Sequence, residues 1–288
     1  MIMKDLFFDS AKLIKRNLMV IQPLFFGVLI IMFAARPLFT RTSVDAGFLI
    51  TAIIMILLIS AFIAGWYNCV KYTVSLNNKI YNSAEEMQKE QVIIIKQFFP
   101  GVAEYFLSVT ALLVIYIGTA WGLSYFIEIL ADKILISAAV PQNIVTVINS
   151  GNQQEIIKLL NSLNNTQIFA IIKSLGLTAL IVFVFHYFVL WFGPALFYSS
   201  KNPLRAVFEG IKFLFKNPLQ SLVILFMMIL ANMFITVLTM IFGTGLLSFI
   251  PFLCLFFYIL YYITTVFLYY EQKTENNCVN GSKLDREV

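Results

Sequence analysis

Five strongly apolar stretches of the chain carry no Asp, Glu, Lys or Arg, and their lengths set the expected architecture. They cover 17–35, 46–70, 105–127, 174–200 and 217–270. A helix needs about 20 apolar residues to cross a bilayer. Each of the first four is one crossing long, and the fifth is more than twice that. Gly243-Thr244-Gly245 interrupts the fifth near its middle and Pro251 follows, the punctuation of a tight turn. The pattern predicts six spans, at about 18–35, 46–70, 102–127, 174–198, 218–242 and 246–270, in a single membrane domain (1–270) with a polar tail over 271–288. No strict two-residue alternation runs through these stretches, so helices satisfy their backbone and a β-barrel does not. The first stretch is longer than a signal-peptide core and is read as a retained span.

The segments before the odd-numbered spans have a different pattern. Residues 205–217 read RAVFEGIKFLFKN and residues 5–17 read DLFFDSAKLIKRN. An offset of 200 pairs Phe8 with Phe208, Asp9 with Glu209, Lys12 with Lys212, Arg16 with Lys216 and Asn17 with Asn217. In the later copy Arg205, Glu209, Lys212 and Lys216 recur at helical spacing. Leu204, Val207, Phe208, Ile211, Leu214 and Phe215 fill the opposite side. Asn202-Pro203 supplies a cap and a first-turn proline, and Glu209 is spaced to pair with Lys212. A weaker third copy begins at the capping box Ser83-Ala84-Glu85-Glu86 and ends at a bend, Pro100-Gly101. The expected fold is therefore all-α: a polytopic helical membrane protein with six transmembrane helices and three cytoplasmic amphipathic interfacial helices. Each interfacial helix opens a unit of two spans.

The loop over 128–173 is also patterned. Ile156, Ile157, Leu160 and Leu163 share one helical side, so one or two short helices are expected there, ahead of the fourth span. Asn164-Asn165-Thr166 in that loop is a glycosylation sequon.

Composition agrees with the span count. The chain of 288 residues is 60% hydrophobic and 12% charged, with mean hydropathy +0.86. Soluble domains carry about twice that charge. A net charge of +5 then bears on orientation rather than on nucleic acid. Fifteen of the 20 Lys and Arg residues fall in the N-terminal segment, the loops after the second and fourth spans, and the tail. By the positive-inside rule both termini are cytoplasmic. The expected partners are membrane lipids, with anionic headgroups met by Lys12, Lys15, Arg16, Arg205, Lys212 and Lys216. A protein partner or a second copy of the chain is a further possibility.

Residues able to carry chemistry are few. Glu104 sits near the inner end of the third span, where a carboxylate reaches water or a lysine such as Lys96. His186 is the only histidine and falls midway along the fourth span; it suits a proton relay or a hydrogen bond between helices. Gln22 and Asn232 are amides within spans, able to join helices or line a polar path. Pro23, Pro194 and Pro251 are expected to kink or end helices. Cys69, Cys254 and Cys278 are odd in number and widely spaced, which opposes a disulfide framework or a zinc site. Phosphate-loop, nucleophile-elbow and zinc-protease motifs are absent. No catalytic residue, metal or cofactor is expected.

The segment from Gly193 to Phe226, GPALFYSSKNPLRAVFEGIKFLFKNPLQSLVILF, has a proline late in a span, a short loop, and a helix with Ala206, Gly210 and Lys212. Lys-Asn and a new span follow. Gly65-Trp66-Tyr67 and Phe98-Phe99-Pro100-Gly101 fit the same plan. This resembles prokaryotic six-span proteins of unknown function, including domain-of-unknown-function family 4013. It is also similar to the membrane domain attached to some glycerophosphodiester phosphodiesterases, whose catalytic domain has no counterpart here. The resemblance implies a prokaryotic inner-membrane protein. The function expected is that of a non-enzymatic protein that organises lipids or partner proteins; the alternative is a permease for a small or lipid-like solute, using His186, Gln22 and Asn232.

Overall fold

The computed structural model describes residues 3–40, 45–141, 153–242 and 249–284. Every regular element among them is a helix: α1 (Met3–Arg16), α2 (Ile21–Thr40), α3 (Ala46–Ser75), α4 (Ala84–Lys96), α5 (Phe98–Ser137), α6 (Gln153–Ser162), α7 (Asn165–Val189), α8 (Phe192–Tyr198), α9 (Pro203–Lys216), α10 (Pro218–Phe242) and α11 (Phe249–Leu284). A short 3-10 turn, Leu18–Val20, joins α1 to α2. Six helical stretches are long and apolar enough to cross a membrane, so the protein is an all-α multi-pass membrane protein. Phe33 (75%), Leu107 (78%) and Met240 (80%) are among many large apolar side chains left exposed. Exposure of that kind marks contact with lipid rather than water.

Several helices outrun their charge-free stretches, because such a stretch measures apolarity and not helix length. α3 continues to Ser75, α5 covers Phe98–Ser137, and α11 runs into the polar segment after 270. The fourth span differs more. Its helix α7 starts at Asn165 and stops at Val189, and α8 restarts at Phe192. The break expected at Pro194 thus lies just before it. Pro23, Pro100 and Pro251 likewise stand third in α2, α5 and the described α11. First-turn N–H groups have no partner within the helix, so a proline there forfeits nothing. Pro23, Pro100 and Pro194 therefore stand in first turns rather than at mid-helix kinks; the residues just before Phe249, which decide the case of Pro251, lie outside the described residues. The expected turn at Gly243-Thr244-Gly245 lies outside the described residues.

The chain divides into two compact units, 1–114 with 188–288, and 115–187. In the first, α2 packs with α3 and α10 with α11. The three helices that precede the odd-numbered spans dock in a regular order: α4 on α3, α9 on α8, and α1 on α11. Each lies against the second span of the preceding repeat, and α1 closes the cycle by docking on the last helix. Tyr261 Oη donates to Phe7 O at 3.1 Å in that closure. The second spans of the three repeats meet through Tyr67, Phe197 and Phe267. Their ring centroids are 5.8, 5.2 and 6.0 Å apart in pairs, the spacing of mutually packed aromatics.

The second unit contains α5 from Ile115 onward, α6 and most of α7. α5 ends in a Schellman motif: Val140 N–H reaches Leu135 O (3.1 Å), Ala139 N–H reaches Ile136 O (3.0 Å), and Ala139 has φ 50°. α7 opens with a reciprocal cap. Gln167 N–H donates to Asn164 Oδ1 (2.9 Å) and Asn164 N–H to Gln167 Oε1 (3.0 Å). The first residue of the sequon is therefore the cap of α7. Val140, Leu163 and Ala170 form a small apolar cluster beside these caps.

Candidate functional site

The helices α1 and α9 each have three sides. A helix advances about 100° per residue, so positions three or four apart share a strip. In α9 the buried strip is Ala206, Gly210, Phe213 and Leu214. The charged strip is Arg205, Glu209, Lys212 and Lys216. The third strip is apolar but exposed: Leu204 (60%), Phe208 (71%) and Phe215 (69%). The six apolar residues set apart by spacing thus divide. Leu214 faces the protein, while Phe208 and Phe215 face away from it. In α1 the buried strip is Leu6, Ser10, Leu13 and Ile14, each 200 positions before its counterpart. Phe8 is 68% exposed, and Asp5, Asp9, Lys12 and Arg16 form the charged strip.

The buried strips work by close approach. A Cβ on Gly210 would stand 3.0 Å from Phe192 Cδ1 and 3.1 Å from Trp191 C and O. Only a small residue lets α9 lie so close to α8; its counterpart in α1, Ser10, is fully buried with its hydroxyl donating to Leu6 O at 2.9 Å. The third copy solves the same position differently. Glu90 is buried at 5% exposure and holds α4 with charge-assisted bonds. Tyr72 Oη donates to Glu90 Oε1 at 2.6 Å, and Lys79 Nζ is paired with Glu90 Oε2. The lysine bond, then the tyrosine bond, keep the Glu90 carboxyl below its usual range. Lys79 is held above its usual range by the same bond.

Arg16 belongs to this junction rather than to a free basic edge. Its guanidinium donates to Lys79 O and lies over the Tyr81 ring at 5.2 Å, and its own carbonyl accepts from Gln91 Nε2 at 3.0 Å. Lys212 is exposed and pairs with Glu209 at 3.7 Å, as the spacing implied. Lys12, Lys15, Arg205 and Lys216 are exposed, and none of them pairs with a carboxylate among the described residues.

The polar candidates within the spans have separate surroundings. Glu104 pairs with Lys201 at 2.7 Å, not with Lys96. Lys201 Nζ also lies 5.9 Å from the Tyr105 ring centroid, and Lys71 Nζ is 3.3 Å from Tyr105 Oη. Lys71 and Lys201 each follow a member of the aromatic triangle by four residues, Tyr67 and Phe197. Gln22 borders an apolar groove of about 280 Å³ with Phe26, Phe62, Ile95 and Phe98. Asn232 is exposed, and its carbonyl accepts from Thr236 Oγ1 at 2.9 Å. His186 belongs to the second unit; its Nδ1 is 2.8 Å from Val182 O in its own helix. Among the described residues no group of three His, Cys, Asp or Glu side chains could hold a metal ion.

Sequence reasoning passed over Glu90 and Lys71. Glu90 could have been found from register, since it stands 80 positions after Ser10 and 120 before Gly210. Comparison with family models, with curated proteins and with solved structures finds no match to this chain.

Proposed function

We propose that this is a non-enzymatic protein of a prokaryotic cell membrane, with both termini cytoplasmic, that gathers anionic lipid around itself. The prokaryotic setting rests on the resemblance to family 4013 proteins, and the orientation on the distribution of Lys and Arg. The observation that carries the reading is the third strip of α9, with Phe8 in the matching place on α1. Phe8, Leu204, Phe208 and Phe215 are exposed beside a charged strip and away from the docking strip. That is the arrangement of a helix lying in the headgroup region, apolar side in the acyl boundary and basic side at the phosphates. A Lys or Arg near an anionic surface contributes roughly 1 kcal/mol.

The test uses the purified protein in bilayers of phosphatidylcholine with phosphatidylglycerol. Spin-labelled lipids report which headgroup is enriched at the protein boundary. The reading predicts enrichment of phosphatidylglycerol, reduced several-fold toward parity by Lys12→Glu, Arg205→Glu and Lys216→Glu together. Equal enrichment in wild type and triple variant would contradict it.

A further inference from the structure

A groove of about 530 Å³ lies between α1, α10 and α11, within the range of about 300–1,000 Å³ usual for ligand clefts. Its walls include Ala11, Leu18, Ala231, Phe234 and Phe257, and its single charged group is Lys15. The two tyrosines there present their rings, because their hydroxyls are already engaged: Tyr258 donates to Met228 O at 3.1 Å and Tyr261 to Phe7 O at 3.1 Å. Water in this groove would find almost no partner. Lys15, exposed at the edge and without a carboxylate partner among the described residues, supplies one fixed positive charge.

The groove also has a place in the repeat. The smaller groove beside Gln22 lies between α2, α3 and the junction of α4 with α5. Ile95 and Phe98 border it 80 positions after Lys15 and Leu18, which border the larger one. Each groove thus sits where a hairpin meets the interfacial helix of the next repeat. In the smaller one Phe98 and Phe99 occupy part of the space and the lysine is replaced by Ile95. The larger one keeps both the space and the charge.

We infer that the α1/α10/α11 groove holds one acyl chain of an anionic glycerophospholipid, whose phosphate is bound by Lys15. The occupant follows from the walls and the charge: a long apolar body without polar groups to satisfy, joined to an anion. This rests on the proposed lipid-gathering function and sharpens it from a boundary layer to one seated molecule.

Native mass spectrometry of the full chain in detergent tests it, with palmitoyl-oleoyl phosphatidylglycerol or the matching phosphatidylcholine added back after delipidation. The expected result is one retained phosphatidylglycerol, and at least fivefold less phosphatidylcholine. Lys15→Gln should abolish that preference, and Ala231→Trp should abolish retention of either lipid. Ala231→Trp, which changes no charge, should keep the boundary-lipid selectivity measured by spin label, which separates failure of the groove from failure of the wider reading. Cys254 provides a readout on the unmutated chain, since it borders the groove and is a free thiol. Phosphatidylglycerol should slow its alkylation several-fold in a peptide-resolved assay. Unchanged alkylation, retention that survives Ala231→Trp, equal retention of the two lipids, or a groove filled by a second copy and seen as a dimer would each overturn the inference.

Discussion

Asn17 and Asn217, 200 positions apart, make the same bonds in the same place. Each follows the last residue of a helix, α1 or α9, is buried, and donates its side-chain amide to the carbonyl four residues back, Leu13 O at 3.0 Å and Phe213 O at 3.1 Å. Each backbone N–H also reaches the carbonyls three and four residues back. Gln97, at the end of α4, repeats the backbone pair at 3.1 Å to Ile93 O and Ile94 O. The repeat is therefore a feature of packing as well as of sequence.

Replacing either asparagine should cost similar amounts. Asn17→Ala and Asn217→Ala each remove a buried amide bond, a loss of about 1 kcal/mol apiece. Thermal unfolding of the detergent-solubilised protein should show two drops of comparable size, adding in the double variant because the sites share no partner.

Gly210 should tolerate nothing larger than alanine. A valine there drives into the Trp191 backbone, which cannot step aside, and overpacking of that kind costs roughly 1–3 kcal/mol. Ser10→Gly removes one hydroxyl bond to Leu6 O and should be far milder. The same unfolding assay, run on both variants, checks the contrast.

The Glu90 junction sets a pH window. Glu90 is held below its ordinary 4.5, so its contribution is present above pH 4.5 and lost as pH falls through the lowered value. Lys79 is held above its ordinary 10.5, so its contribution is present below pH 10.5 and lost as pH rises through the raised value. The unfolding temperature should be flat between those limits and fall in acid. Glu90→Gln should lower the plateau, by roughly 1–2 kcal/mol for a weakened buried charged acceptor, and make the acid limb shallower.

Ala139 occupies a left-handed position that glycine holds without strain. Ala139→Gly should stabilise the 115–187 unit by about 1 kcal/mol. Slower amide exchange around Val140 and Leu163 would register it; faster exchange there would contradict the reading of the motif.

Charge-free length made the six spans legible, because a bilayer imposes that length on any crossing helix. The caps at Ser83 and Asn202 were legible too, since capping depends on a few adjacent residues; Ser83 Oγ accepts from Glu86 N–H at 3.1 Å, and Asn202 Oδ1 from Leu204 and Arg205 N–H at 3.0 and 3.2 Å. Partner choice was not legible. Glu104 pairs with Lys201, almost 100 positions away, rather than Lys96 on the neighbouring helix, because α8 brings Lys201 to α5. Arg16 reads as one more surface cation in sequence, yet its neighbours Lys79 and Tyr81 come from the loop after α3. The groove at Lys15 was invisible for the same reason: docking of α1 on α11 joins the two ends of the chain.

The central claim is that α1 and α9 lie in the membrane interface, and nitroxide accessibility measures that most directly. Spin labels are placed singly at Phe8, Lys12, Phe208 and Lys212 of the bilayer-reconstituted protein. The account predicts that labels at 8 and 208 are relaxed mainly by oxygen, which concentrates in lipid, and those at 12 and 212 mainly by a water-soluble nickel chelate. Labels at 8 and 208 as open to the chelate as those at 12 and 212 would place both helices in water and contradict it.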